Sequence, residues 1–129
     1  MTQGLDIATL TLMPGAHRRR EDGVCIMEAV AWAGGERHSD HPECASWAVA
    51  AIMRQLNDWM TDDERVQLVP YVVKLVGSIA PVEVEVCRTL FAANWAIRHR
   101  LPEACDLLDL PESAALRAAP EIVDGPTLK

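Results

Sequence analysis

Asp40-His41-Pro42-Glu43-Cys44-Ala45-Ser46-Trp47-Ala48-Val49-Ala50-Ala51-Ile52-Met53-Arg54-Gln55-Leu56-Asn57-Asp58-Trp59-Met60 decides the fold class. Cys44, Trp47, Ala48, Ala51 and Ile52 recur at helical spacing, and Val49, Met53, Leu56 and Met60 form a second stripe. Asp40 is placed to act as N-cap, with Pro42 in the first turn and Glu43 three residues on, a pattern that resembles a capping box. A helix apolar on two faces is expected at the centre of a helical assembly. Ser46, Arg54, Asn57 and Asp58 fall on its polar side.

The segments on either side repeat the helical pattern. Upstream, Val24–Ala33 reads as a helix ended by Gly34-Gly35, where glycine tolerates the left-handed closing conformation. Glu28 lies inside it and is expected on its exposed edge, because an isolated charge is costly to bury. Downstream, Thr61 and Glu64 make a second capping box, and Pro70 interrupts the helix before it resumes to Gly77. Pro81–Arg98 continues at helical spacing through Val86, Leu90, Ala93 and Ile97, with Arg98, His99 and Arg100 suited to a helix C-terminus. Short helices follow from Pro102 to Leu108 and from Glu112 to Ala119. Leu5–Met13, with alternating Thr and Leu and then Pro14-Gly15, reads as a short strand or extended arm. The expected fold is all-α: a bundle or orthogonal array of about six helices. Residues 1–23 form an arm and basic loop, 24–119 the helical domain and 120–129 a flexible tail.

The chain has 129 residues, half of them hydrophobic, which suits one domain with a real core. Twelve basic residues stand against nineteen acidic, a net charge of −7. That balance argues against nonspecific nucleic-acid binding; the candidate contacts are Arg18–Arg20 and Arg98 with Arg100. It leaves open an acidic surface that engages a basic partner. No apolar run approaches the ~18–20 residues of a membrane span, and Met1–Leu10 lacks a basic start and an apolar core, so a soluble cytoplasmic protein is expected. Cys25, Cys44, Cys87 and Cys105 form no CxxC pair and read as small buried hydrophobes in a reducing compartment. Trp32, Trp47 and Trp95 read as core. Trp59, beside Asp58 near a helix end, reads as the exposed aromatic and a protein–protein anchor.

Polar groups concentrate between Gly34 and Cys44, a loop feeding a helix N-terminus. Two chemistries are open to it. Glu28, Glu36, Asp40 and His41 could serve acid–base or metal-assisted catalysis. His38, His41 and Cys44, with Cys25 as a fourth ligand, could hold zinc. The structural alternative is that Glu36 and Asp40 tie the loop to the following helix and Glu28 binds a backbone amide or Arg54. No Gly-x-Ser-x-Gly, P-loop, Gly-x-Gly-x-x-Gly or His-Glu-x-x-His motif is present. The expected state is therefore no catalytic residue, no cofactor and no metal.

Cys25-Ile26-Met27-Glu28-Ala29-Val30-Ala31, Ala33-Gly34-Gly35-Glu36, Ser39-Asp40-His41-Pro42 and Asn57-Asp58 together resemble a small, uncharacterised bacterial all-helical family. Leu75-Val76-Gly77 and Ala114-Ala115-Leu116-Arg117 fit the same layout, so the resemblance spans about Pro14 to Val123. It implies no assigned activity. It places His38 where the family pattern carries an aromatic residue, which weakens a zinc set built on His38 and makes Glu28, Glu36 and Asp40 the better shared polar site. The overall expectation is a small, acidic, non-catalytic interaction or regulatory module whose partner is another protein or the chain itself. Its size and acidity fit a phage or mobile-element protein that modulates a host protein.

Overall fold

The computed structural model describes residues Gly4–Asp124. Among these the regular structure is helical, with no strand: α1 (Ile26–Ala33), α2 (Trp47–Trp59), α3 (Asp62–Arg65), α4 (Tyr71–Leu75), α5 (Val82–Trp95), α6 (Leu101–Leu107) and α7 (Ser113–Arg117). The chain divides within α5 into two units, residues 1–85 and 86–129. No helix among the described residues is long and apolar enough to cross a membrane.

The core of the first unit is α1. Ile26, Met27, Ala29, Val30 and Ala31 are fully enclosed, and Val72 and Leu75 of α4, Ala50 and Met53 of α2, Leu68 and Leu12 pack around them. The place expected for the central helix thus belongs to α1. Along α2, Ala50, Met53 and Asn57 bury one face, Ala48 is buried on the other side at the helix start, and Trp47, Ile52 and Leu56 are exposed. Of the tryptophans expected in the core, Trp32 is half-buried and Trp47 and Trp95 are exposed.

Helix boundaries follow where the orphan backbone groups find partners. Cys25 is the N-cap of α1: its Sγ accepts from the Glu28 amide, and Glu28 reaches back to the Cys25 amide, closing a capping box with a thiol in the usual hydroxyl position. At the other end Gly35 takes φ +72°, and the Gly35 and Glu36 amides bond Trp32 O and Ala31 O, a Schellman closure. The expected Asp40 cap of α2 does not form. Ser46 caps it instead, accepting from Val49, because the Glu43 and Cys44 amides are already bonded to Glu36. The Thr61–Glu64 capping box forms at α3, and Pro70 precedes α4.

The N-terminal segment is not a strand. Asp6 caps a 3-10 turn over Ile7–Thr9, and the Met13 amide bonds Val24 O. In the second unit Ala96–Arg100 winds as a π-helix that runs directly into α6. Arg98, His99 and Arg100 therefore do not terminate a helix; Arg100 lies over the Trp95 ring at 4.6 Å and pairs with Glu103. Asn94 anchors the segment after α7 by exchanging two hydrogen bonds with the Ile122 backbone. Of the flexible tail expected over 120–129, residues 125–129 lie outside the described residues.

Candidate functional site

Glu28 is the chemical centre of the first unit, and its side chain is 1% exposed rather than at a wet helix edge. Its two oxygens are filled. Oε1 accepts from the His17 amide at 2.5 Å, and Oε2 accepts from the Cys25 amide at 2.8 Å and from His17 Nδ1 at 2.8 Å. His38 lies against the same carboxylate, with Nε2 3.5 Å from Oε1 and 2.9 Å from His17 O, to which it donates. Burial pushes the Glu28 carboxyl up, but the accepted hydrogen bonds and the neighbouring His17 ring outweigh that and hold it below the ordinary carboxylate range.

Asn57, predicted on a polar face, is fully enclosed. Its Oδ1 accepts from the Ile26 amide, one of the orphan donors at the start of α1, and its Nδ2 donates to Met13 O and Asp58 Oδ1. Asp58 Oδ1 also accepts from the Gly15 amide at 2.7 Å. Asn57, Asp58 and Glu28 thus hold the loop of residues 13–17 against α1 and α2 from three points. Gly23 completes the fit, with φ +131°. A Cβ there would stand 2.7 Å from Met13 Sδ and 3.0 Å from the His17 ring.

Glu36 performs the same operation on the next loop. Its oxygens accept from the Glu43 and Cys44 amides at 2.8 and 2.7 Å, and the Cys44 thiol's hydrogen bond is the largest cause holding the carboxyl below its ordinary range, helped by those amides. Arg54 Nη1 donates to Asp40 O, which ties the loop to α2. Asp40 pairs with the exposed His41 ring at 2.7 Å. A cleft of about 400 Å³ opens along this loop, lined by Glu36, Arg37, His38, Ser39, His41 and Glu43.

The candidate catalytic set is thereby divided among three hydrogen-bond groups: Glu28 with His17 and His38, Glu36 with two amides, and Asp40 with His41. The candidate zinc set is also divided. Cys25 caps α1, His38 faces His17 and Glu28, His41 faces Asp40, and Cys44 bonds Glu36. Among the described residues no group of three His, Cys, Asp or Glu side chains could hold a metal ion. All four cysteines are free thiols, and Cys87, expected to be buried, is exposed. Burial pushes the Cys25 thiol up to about 11. The basic run is not simply solvated, since Arg20 stacks over Trp32 at 4.2 Å. Arg18–Arg20 lie in the first unit and Arg98 and Arg100 in the second.

The half-buried His17 and the buried Glu85 and Arg65 are marked by no periodic pattern in the sequence. His17 lies in a loop eleven positions before its partner Glu28. Glu85 sits in an alternating Val-Glu-Val-Glu-Val run, yet it is fully enclosed and accepts from Ser46 Oγ, the Ala48 amide and the Ala80 amide. Arg65 is 3% exposed; its Nε and Nη2 donate to Asn57 O and Met60 O, satisfying the last carbonyls of α2 and the residue after it. The one available signal was that Arg65 follows a helix C-terminus closely enough to reach it.

Directly on this braced helix end stands Trp59, 80% exposed. Its neighbours in sequence are Asp58, Asp62, Asp63 and Glu64. Comparison with protein-family models, curated proteins and solved structures finds no match.

Proposed function

We propose that the protein is a non-catalytic interaction module, of the kind a phage or mobile element uses to modulate a host protein, and that Trp59 is its anchor. The observation that carries this reading is a large aromatic ring held in water on a helix end that Asn57 and Arg65 fix from beneath. Aromatic anchors on rigid supports contribute disproportionately to binding, because little conformational freedom remains to be lost. The acidic residues flanking Trp59 select a partner whose apolar pocket carries a basic rim. The motif glutamates support the same reading. Glu28 and Glu36 are occupied by backbone amides, which is the work of a scaffold.

The test is capture from an extract of the source cells with immobilised wild type and with Trp59→Ala. A protein retained by the wild type and lost with the variant, both baits showing the same circular dichroism and melting temperature, is the expected result. Retention that ignores Trp59 overturns the anchor. Turnover of a substrate that Glu28→Gln abolishes, in a folded variant, overturns the non-catalytic reading.

A further inference from the structure

A second cleft of the first unit, of about 440 Å³, is walled by the N-terminal segment, by residues 20–24 and by Trp32 of α1. Among the described residues Arg20 is the only cation in that wall. Its guanidinium lies over the Trp32 ring at 4.2 Å, and its Nε is enclosed without a hydrogen-bond partner among the described residues. An arginine nitrogen can only donate, so this N–H calls for an acceptor, and a buried donor left without one costs stability. The acids in the same wall do not supply it. Asp6 accepts from the Ala8 amide, Asp22 faces Arg19 Nε at 3.5 Å, and Glu21 is exposed.

The backbone around Arg20 is fixed on both sides. Upstream, Glu28 grips His17 by its amide and its ring; downstream, the Met13 amide bonds Val24 O and Gly23 packs against Met13 and His17. The Trp32 ring holds the guanidinium from its face. Such a support presents a charged group in one orientation, which a binding site requires.

The wall also defines what it would bind. A guanidinium covered on its face by an aromatic ring offers its edge, where Nε and one Nη stand parallel and take a carboxylate through two hydrogen bonds. Three acids, Asp6, Glu21 and Asp22, stand in the wall against that one cation. They repel a simple anion and complement a ligand that carries an ammonium as well as a carboxylate. Leu5, Leu10 and Val24 supply apolar wall, the usual companion of a few polar groups in clefts of this size.

We propose that this cleft binds a free amino acid with an apolar side chain: its carboxylate on the edge of Arg20, its ammonium among Asp6, Glu21 and Asp22, and its side chain against Leu5, Leu10 and Val24.

Titration of the isotope-labelled protein with leucine, methionine, valine and phenylalanine in turn tests the proposal, read at the Arg20 Nε–H resonance. At least one of the four should move that resonance and saturate at millimolar concentration. Two truncations of the best binder, the same molecule without its ammonium and the same molecule without its carboxylate, should each bind at least about tenfold more weakly. Arg20→Lys keeps the charge and loses the fork, and should weaken binding by about tenfold with unchanged circular dichroism. No saturable shift with any of the four overturns the proposal. So does equal binding by the truncation without its ammonium, binding that leaves the Arg20 Nε–H resonance in place, or binding that a folded Arg20→Lys variant retains in full.

Discussion

The Glu28 carboxylate and His17 meet twice, through the His17 amide at 2.5 Å and through its ring Nδ1 at 2.8 Å. One buried acid on the most enclosed helix therefore fixes both the path of an irregular loop and the orientation of the side chain on it. Glu36 and Glu85 repeat the device on two further stretches of backbone. In each case an acid supplies acceptors that a strand partner or water would otherwise provide. A chain with eight prolines and seven glycines can thus hold its loops without a sheet.

Replacing Glu28 by Gln should destabilise the first unit by about 2 kcal/mol, because a charged acceptor of two amides becomes a neutral one that brings two donors of its own. The sign of the pH dependence follows from the depressed carboxyl. Its stabilising contribution is fully present above the unfolded value of roughly 4.3 and is lost as pH falls through the lower folded value. Urea titrations between pH 7 and pH 3 should show the wild type losing more stability than Glu28→Gln over that window. Parallel pH profiles would show that Glu28 is not the residue responsible.

Asn57→Ala should cost about 3 kcal/mol, since it orphans the Ile26 amide and Met13 O in an enclosed place. Asn57→Asp should cost more than Ala although it is nearly isosteric: the new oxygen would face the Met13 carbonyl, and an unpaired charge would be buried. Hydrogen exchange localises the effect. The Gly15 and His17 amides, bonded to Asp58 and Glu28, should lose protection before the amides inside α1. Equal loss across both regions would mean that the loop has no independent clamp.

Gly23→Ala tests the same clamp from its other side. Gly23 pairs φ +131° with ψ 172°, a region nearly closed to other residues, and an added Cβ meets Met13 Sδ at 2.7 Å. The expected cost is roughly 2–3 kcal/mol of strain and displacement. Gly35→Ala, at φ +72° with open space around the Cβ, should cost only about 1 kcal/mol. Thermal melts of the two variants should separate in that order.

The all-helical class was legible because helical periodicity survives in α1, α2 and α5 whatever their neighbours do. The start of α2 was not. Asp40 with Glu43 satisfies the local rule for a cap, but Glu36 takes the amides of Glu43 and Cys44 from across a loop, and no local pattern records that reach. Glu28 stands out in the sequence as a charge in an apolar helix, but its burial depends on His17, whose position bears no periodic relation to it. Asn57 falls on the polar side of α2 by pattern, because asparagine is usually wet; two backbone groups from distant segments reverse that. On α5, Trp95 reads as core from its apolar neighbours, yet the ring is near half-exposed.

The two thiols at Cys25 and Cys87 should differ in reactivity for reasons that separate exposure from acidity. Cys25 is enclosed, its thiol is pushed up to about 11 by burial, and its sulfur accepts the Glu28 amide. Its thiolate is therefore scarce at pH 8, and reagent must wait for the first unit to open. Cys87 is exposed on α5 and needs no opening. In dilute protein under native conditions a maleimide should label Cys87 within minutes and leave Cys25 intact. Denaturant should bring the two rates together. Mass mapping of the labelled peptides reads both sites at once. Because Glu28→Gln loosens the box around Cys25 without touching α5, it should accelerate labelling at Cys25 alone. Labelling at Cys25 that Glu28→Gln leaves unchanged would show that the Glu28 carboxylate does not hold the start of α1 closed.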